Sequence, residues 1–136
     1  LRLLRAQSGI EAELRRRLRD GFGTTLPRFD VMSALARHPD GLKMSDLSGL
    51  LRVSNGNVTG IVDRLAQDGL AERVPLPGDR RAHLARLTRA GQKAFAAQAA
   101  AHEAWLNELL GSFGAEEIAT LSTLLTRIET ETPHAQ

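Results

Sequence analysis

The chain has 136 residues, 42% of them hydrophobic, which is enough apolar material for one compact domain with its own core. It has no cysteine, which excludes disulfides and thiol chemistry, and no apolar run approaches the ~20 residues needed to cross a membrane. The net charge of +2 hides an asymmetry: residues 1–39 carry eight arginines against four acids, residues 40–90 eight basic residues against six acids, and residues 91–136 two against six.

Leu1 to Asp20 is predicted helical, with Leu1, Leu4, Ile10, Leu14 and Leu18 as its apolar stripe. Arg15, Arg16, Arg17 and Arg19 cluster at its end and read as a solvated face in preference to a phosphate-binding one. Gly21-Phe22-Gly23 breaks the helix. Thr24 or Thr25 caps a second helix with Pro27 in its first turn, and Phe29, Met32, Leu35 and Ala36 form its buried stripe. His38-Pro39-Asp40-Gly41 is a stop and turn, with His38 a helix-end residue and not a metal ligand. A third helix starts near Met44 or Ser45, and its free first-turn amides, with Lys43 and Ser45, suit a phosphate.

The fourth helix is predicted from Ser54 to about Gly69. Ser54 is a good N-cap, and Val58, Ile61, Val62 and Leu65 make one apolar face to pack on Leu47, Leu50, Leu51 and Val53. The opposite face begins with Asn55, Gly56, Asn57, Thr59 and Gly60, which have no long charged side chain to hold the helix off the bases. Asparagine can make two hydrogen bonds to an adenine edge in the major groove. Two short helices with a tight turn, the second beginning this way, read as a helix-turn-helix whose recognition helix carries Ser54, Asn55, Asn57, Thr59 and Arg64 toward DNA.

Strands are expected at Leu70–Val74 and Ala82–Leu87, with Pro75, Pro77 and Gly78 between them as turn formers. Asp79, Arg80 and Arg81 then fall at the tip of a basic hairpin. An arginine held there can enter a narrow minor groove, and Asp79 can orient one of the two by a charge-assisted hydrogen bond. Thr88 caps a long fifth helix to about Leu110, alanine-rich at first and then carrying Trp105, Leu106, Leu109 and Leu110. Gly111 to Gly114 breaks it, and Ile118, Leu121, Leu124, Leu125 and Ile128 stripe a sixth helix before a tail, Thr132 to Gln136, expected to fray.

The stretches VSNGNVTGIVDRLAQDGLAERV, GDRRA and LTRAG, at their spacing, resemble the MarR (multiple antibiotic resistance regulator) family of bacterial transcription factors. LPRFDVMSALARHPDG resembles that family's second helix, so the likeness covers nearly the whole chain. Three positions depart from the pattern: Gly60 stands where many members carry arginine, Lys43 replaces a Ser or Thr cap, and Arg52 stands where the turn often has glycine. The implied fold is mainly α with a small β-hairpin wing: a winged helix-turn-helix over residues 24–90, flanked by dimerisation helices over residues 1–22 and 88–136.

The outer helices carry apolar stripes that a monomer has little surface to bury, which points to an intertwined homodimer presenting two recognition helices to a pseudo-palindromic double-stranded operator. The resemblance implies the same dimer, released from DNA by a small aromatic ligand, and Phe22, Phe29, Met32 and Trp105 are expected to line its pocket. TTLPRFDVM and VSNGNVTG look most like the branch controlling aromatic-acid catabolism, some of which answers to aromatic acyl-CoA thioesters; the Arg15–Arg19 cluster would then meet the cofactor's phosphates. The alternatives are a non-sensory activator and a zinc-responsive regulator on the same fold. Without cysteine, the thiol-based sensing of one family branch is excluded.

Catalysis finds no support. His38, His83, His102 and His134 are scattered, none sits in an HExxH pattern, and there is no GxSxG and no phosphate-cradling glycine loop. His102-Glu103 reads as surface or interface. No cofactor or resident metal is expected. No secretory signal pattern is visible in a chain that begins on leucine, and a cytoplasmic location is expected.

Overall fold

A computed structural model describes residues 1–133, apart from the side chain of Arg80. His134 and the end of the tail lie outside the described residues. The element order is α1 (Arg2–Phe22), α2 (Leu26–Ala36), β1 (Leu42–Lys43), α3 (Met44–Leu51), α4 (Asn55–Gln67), β2 (Ala71–Leu76), β3 (Asp79–Leu87), α5 (Arg89–Leu109) and α6 (Ala115–Glu131). The chain divides into two compact units, Leu1–Glu103 and the part from Ala104 onward. No helix among the described residues is long and apolar enough to cross a membrane.

The core of the first unit gathers Val31, Met32 and Leu35 of α2, Leu47 of α3, Val58, Val62 and Leu65 of α4, and Ala71, Ala85 and Leu87 of the sheet. Helices α2 and α4 contribute most of the stripe their sequence spacing sets, but Leu50 of α3, expected to pack against α4, is exposed. Helix ends follow local chemistry. Thr25, not Thr24, caps α2, its hydroxyl accepting from the Arg28 amide at 3.3 Å. His38 is a helix-end residue as expected, with Nδ1 2.9 Å from the Ala34 carbonyl oxygen. Helix α1 runs past the expected Asp20, through Gly21 to Phe22, and Gly23 ends it. The helix tolerates Gly21 because the αL residue that stops it comes only at Gly23.

The hairpin is longer than its prolines suggested, and the sheet has a third strand. The order is β1-β3-β2, all antiparallel, with Ala71↔Leu87 through Pro75↔His83 in one register and Leu76 opposite Asp79 after a shift. Pro75 sits within β2 instead of in the turn, leaving Pro77-Gly78 as the two-residue connection. Strand β1 is only two residues, too short to carry a pattern. It exists because Gly41, with φ 100°, approaches β3 closely: a Cβ there would lie 3.0 Å from the Ala85 carbonyl oxygen.

Helix α5 is anchored by a small junction. The Thr88 hydroxyl accepts from the Gly91 amide at 3.0 Å and donates to the Gly69 carbonyl at 2.6 Å, while the Thr88 amide donates to the Leu70 carbonyl at 3.1 Å. Gly91 is required by contact: a Cβ built on it would stand 1.8 Å from the Leu70 carbonyl oxygen. Gly9, on α1, has nothing within 4 Å of its own Cβ position. Gly91→Ala is therefore expected to destabilise at the upper end of the ~1–3 kcal/mol that overpacking costs. Gly9→Ala should stabilise by about 0.5–1 kcal/mol. Denaturant unfolding of both variants checks this, and equal midpoints would refute it.

Candidate nucleic-acid interface

Helix α4 is held from one side and open on the other. Val58, Val62 and Leu65 are fully buried, whereas Asn55, Gly56, Asn57, Gly60 and Arg64 are exposed and Thr59 is half-buried. Ser54 caps the helix, its hydroxyl accepting from the Asn57 amide at 3.3 Å, so the remaining first-turn amides stay open. Two ion pairs hold its C-terminal half: Arg28 of α2 with Asp68, and Arg73 of β2 with Asp63 at 2.6 Å. Both partners of α4 lie away from its N-terminal turn, where the two asparagines stand.

The turn before α4 is tight. Arg52 has φ 53°, in the left-handed region, which is the conformation glycine takes freely and arginine adopts at a cost of roughly 1–2 kcal/mol. The Ser48 hydroxyl donates to the Val53 carbonyl at 2.5 Å, and the Val53 amide donates to the Ser48 carbonyl at 3.2 Å. Ser48 gave no signal in the sequence, since a polar residue on a short helix has many ordinary roles. At the start of α3, Lys43 and Ser45 are both exposed, and no side chain caps the free amides.

The wing tip differs from expectation in one respect. The Asp79 carboxylate accepts from the main-chain amide of Arg81 at 2.9 Å, so it shapes the backbone at the tip instead of steering a guanidinium. Geometry favours this Asx-type contact because the amide two residues on lies within reach of a short carboxylate. The register shift leaves residues 80–82 without opposite partners in β2, and the Arg81 side chain is exposed. Arg80's side chain lies outside the described residues.

The α1 arginines are engaged along their own helix. Arg15 bonds Glu11 at 2.6 Å, Arg16 and Arg17 bond Glu13 at 2.6 and 2.7 Å, and Arg19 meets Asp20 at 3.3 Å. Hydrogen bonds from Arg16 and Arg17 hold the Glu13 carboxyl down to about 2. The cluster is thus an exposed face whose arginines pair with acids of the same helix, in keeping with its reading as a solvated face.

The four residues expected to line a ligand pocket differ in burial and in the unit they belong to. Met32 is fully buried in the core, Phe22 is 38% exposed at the end of α1, and Trp105 belongs to the second unit. Phe29 stacks on His102, ring centroids 4.7 Å apart, and meets Phe95 at 5.5 Å. Phe29, Phe95, His102 and Arg37 line a groove of about 380 Å³ between α2 and α5. His102, expected at the surface or an interface, is half-buried against an aromatic ring at the edge of this groove, and no sequence spacing connects it to the distant Phe29. No group of three His, Cys, Asp or Glu among the described residues is arranged to hold a metal ion.

The MarR family model matches residues 22–82. A MarR family regulator from Silicibacter pomeroyi is similar in structure, with 38% identity, a TM-score of 0.79, and coverage of 95% of this chain and 88% of that one. The chain belongs to the MarR family. A MarR mutant from E. coli complexed with operator DNA superposes with a TM-score of 0.81 at 26% identity, covering 94% of each chain. The transcriptional activatory protein BadR of Rhodopseudomonas palustris is 34% identical over 107 residues, 76% of this chain and 61% of that protein, so the chain spans about three-fifths of that relative. MarR proteins are transcriptional regulators and not enzymes.

Two outcomes are expected at this site of the MarR chain. Arg81→Ala should weaken duplex binding by about tenfold or more, the scale of one missing hydrogen bond to a charged group, with the unfolding midpoint unchanged. Unchanged affinity in a titration would show that the wing does not touch DNA. The second concerns His102, whose pKa burial pushes below its ordinary 6.5, although Asp30 opposite favours the charged ring. The folded chain therefore takes up this proton less readily than the unfolded one, so stability is lost as pH falls through about 6.5. Asp30, raised by burial and facing His102, Arg15 and Glu11, acts in the opposite sense and at lower pH. Thermal midpoints between about pH 7.5 and 5.5 should fall more steeply for the native chain than for His102→Gln, and parallel curves would exclude this role.

Proposed function

We propose that this MarR-family chain is one subunit of a homodimer that binds a pseudo-palindromic operator as a repressor and leaves it when a small aromatic acid, or its CoA thioester, binds. The observation that carries the DNA part is the polar, uncluttered exposed face at the start of α4, Asn55, Asn57 and Thr59, with Arg64 further along it. Lys43, Ser45 and the capped start at Ser54 supply phosphate contacts, and Asp79, Arg80 and Arg81 form the wing contact.

The dimer reading rests on apolar surface. Leu1, Leu3 and Leu4 on α1 are 80%, 52% and 66% exposed, and α6 buries none of its residues while exposing Leu121, Leu124, Leu125 and Ile128. Stripes of this kind are covered in assemblies, and α1, α5 and α6 serve as the dimerisation helices around the 24–90 winged domain. The ligand reading is supported by the groove whose rings, Phe29, Phe95 and His102, suit an aromatic body and whose Arg37 suits a carboxylate. A ligand there would act by preferring one spacing of the two recognition helices over the other. A second reading is a non-sensory activator on the same fold, and its activator part is favoured by the name of the Rhodopseudomonas relative.

The test is binding to duplexes from the DNA flanking the protein's own coding sequence, at fixed salt, with benzoate, hydroxycinnamates and their CoA thioesters in turn. Repressor action predicts tight binding relieved by one compound. Relief in the native chain that disappears in Arg37→Ala would place the acid in the groove. Tight binding that no compound relieves would move the weight to the activator reading.

A further inference from the structure

A second concave surface lies beside α4, about 510 Å³ in volume, and three guanidiniums line it: Arg15 of α1, Arg28 of α2 and Arg64 of α4. Asn57 and Gly60 line it too, so the cleft opens onto the same helix face that carries the recognition asparagine. Its arginines are differently placed for an incoming anion. Arg64 has no acidic partner among the described residues. Arg28 bonds Asp68 through one terminal nitrogen, which leaves its Nε–H buried with no acceptor. Arg15 bonds Glu11 through Nε and Nη2, leaving Nη1 unengaged by that pair. Gly60 keeps the mouth clear: a Cβ there meets nothing within 4 Å.

We propose that this cleft seats a phosphate of the DNA backbone, held by Arg28 and Arg64 with Arg15 reaching in from α1. The cleft is thus a phosphate clamp supplied largely from helices outside the helix-turn-helix. Asn57 and Gly60 line the same cleft, so a phosphodiester entering it beside a duplex engaged by Asn57 would meet the unsatisfied Arg28 donor together with two further cations. The apolar floor of the cleft, Ile61 among it, suits the sugar carbons that flank a phosphate. The inference rests on the DNA-binding reading above and adds to it an anchor that carries no sequence information.

Arg15→Gln and Gly60→Glu test it, the first removing a cation on α1 and the second placing a carboxylate at the cleft from a position where an added Cβ meets nothing within 4 Å. Affinity is measured by fluorescence anisotropy for an operator duplex and an unrelated duplex across a salt series. Both variants should flatten the slope of log affinity against log salt by about 0.9 for each phosphate no longer neutralised in a half-site, equally on the two duplexes. Wild-type binding with unchanged slopes in the variants would overturn the clamp alone. A weakening confined to the operator duplex would also overturn it, since it would mean base reading. A native chain that binds neither duplex would remove the DNA-binding reading, and the clamp with it.

Discussion

The architecture depends on the removal of one face of α4 from water. The helix has 13 residues, a length at which an isolated helix is marginal in water, and its first turn holds two asparagines and a glycine, poor helix formers. What makes it a helix is the burial of Val58, Val62 and Leu65, each with no exposed surface, and each worth about 1.5–3 kcal/mol when fully buried. Because those three positions fix the helix's rotation about its axis, they also fix what faces outward. Asn55, Asn57, Gly60 and Arg64 are presented together because Val58, Val62 and Leu65 are hidden together. The weak helix formers at the N-terminus are tolerated because the core, the Ser54 cap and the ion pairs at Asp63 and Asp68 hold the helix from elsewhere.

The same logic links the winged core to α5. A threonine hydroxyl and a glycine without a side chain join three elements within one turn: Thr88 ties the carbonyl of Gly69 to the first turn of α5, and Gly91 lets that turn press against Leu70. The strand that leaves α4 and the helix that follows the wing therefore meet at the C-terminal end of the recognition helix. A displacement of α5 would be passed to α4 through Leu70 and Gly69, which are contiguous with the helix end. The connection is short and packed, joining the end of α4 to the first turn of α5 through main-chain and threonine contacts.

The sequence was most legible where a single residue has one dominant physical role. Ser54, Thr88 and Pro27 could be placed because caps and first-turn prolines act locally, and the apolar stripes of α2 and α4 could be placed because burial obeys helical spacing. The likeness to MarR proteins placed the wing, yet its detail escaped. Proline at 75 was read as a turn residue because it cannot donate to a ladder, but in β2 it stands opposite His83 where the strand tolerates the missing donor. Strand β1 escaped because two residues have no period. The contacts between distant segments escaped altogether: Phe29 with His102, Arg28 with Asp68, and the meeting of Arg15, Arg28 and Arg64 are products of the fold and leave no spacing to read.

Charge shows the same limit from another side. Counting arginines along the chain marked its first third as strongly basic, and on that count α1 should attract anions along its length. Ion pairing engages four of its six arginines, since Glu11, Glu13 and Asp20 take up Arg15, Arg16, Arg17 and Arg19 within four residues. Such exposed, solvent-screened pairs add little to the stability of the helix, and their main effect is to soften the field of that cluster. Outside the cleft that Arg15 and Arg28 line, the cations proposed to face DNA are fewer and differently placed. Lys43 stands at the start of α3, Arg64 on α4 and Arg81 on the wing, each exposed and each on an element that the core aims outward. Net charge by segment thus does not locate the reading face, because it records how much charge a stretch carries and not which cations stand beside an acid and which stand apart on an outward element.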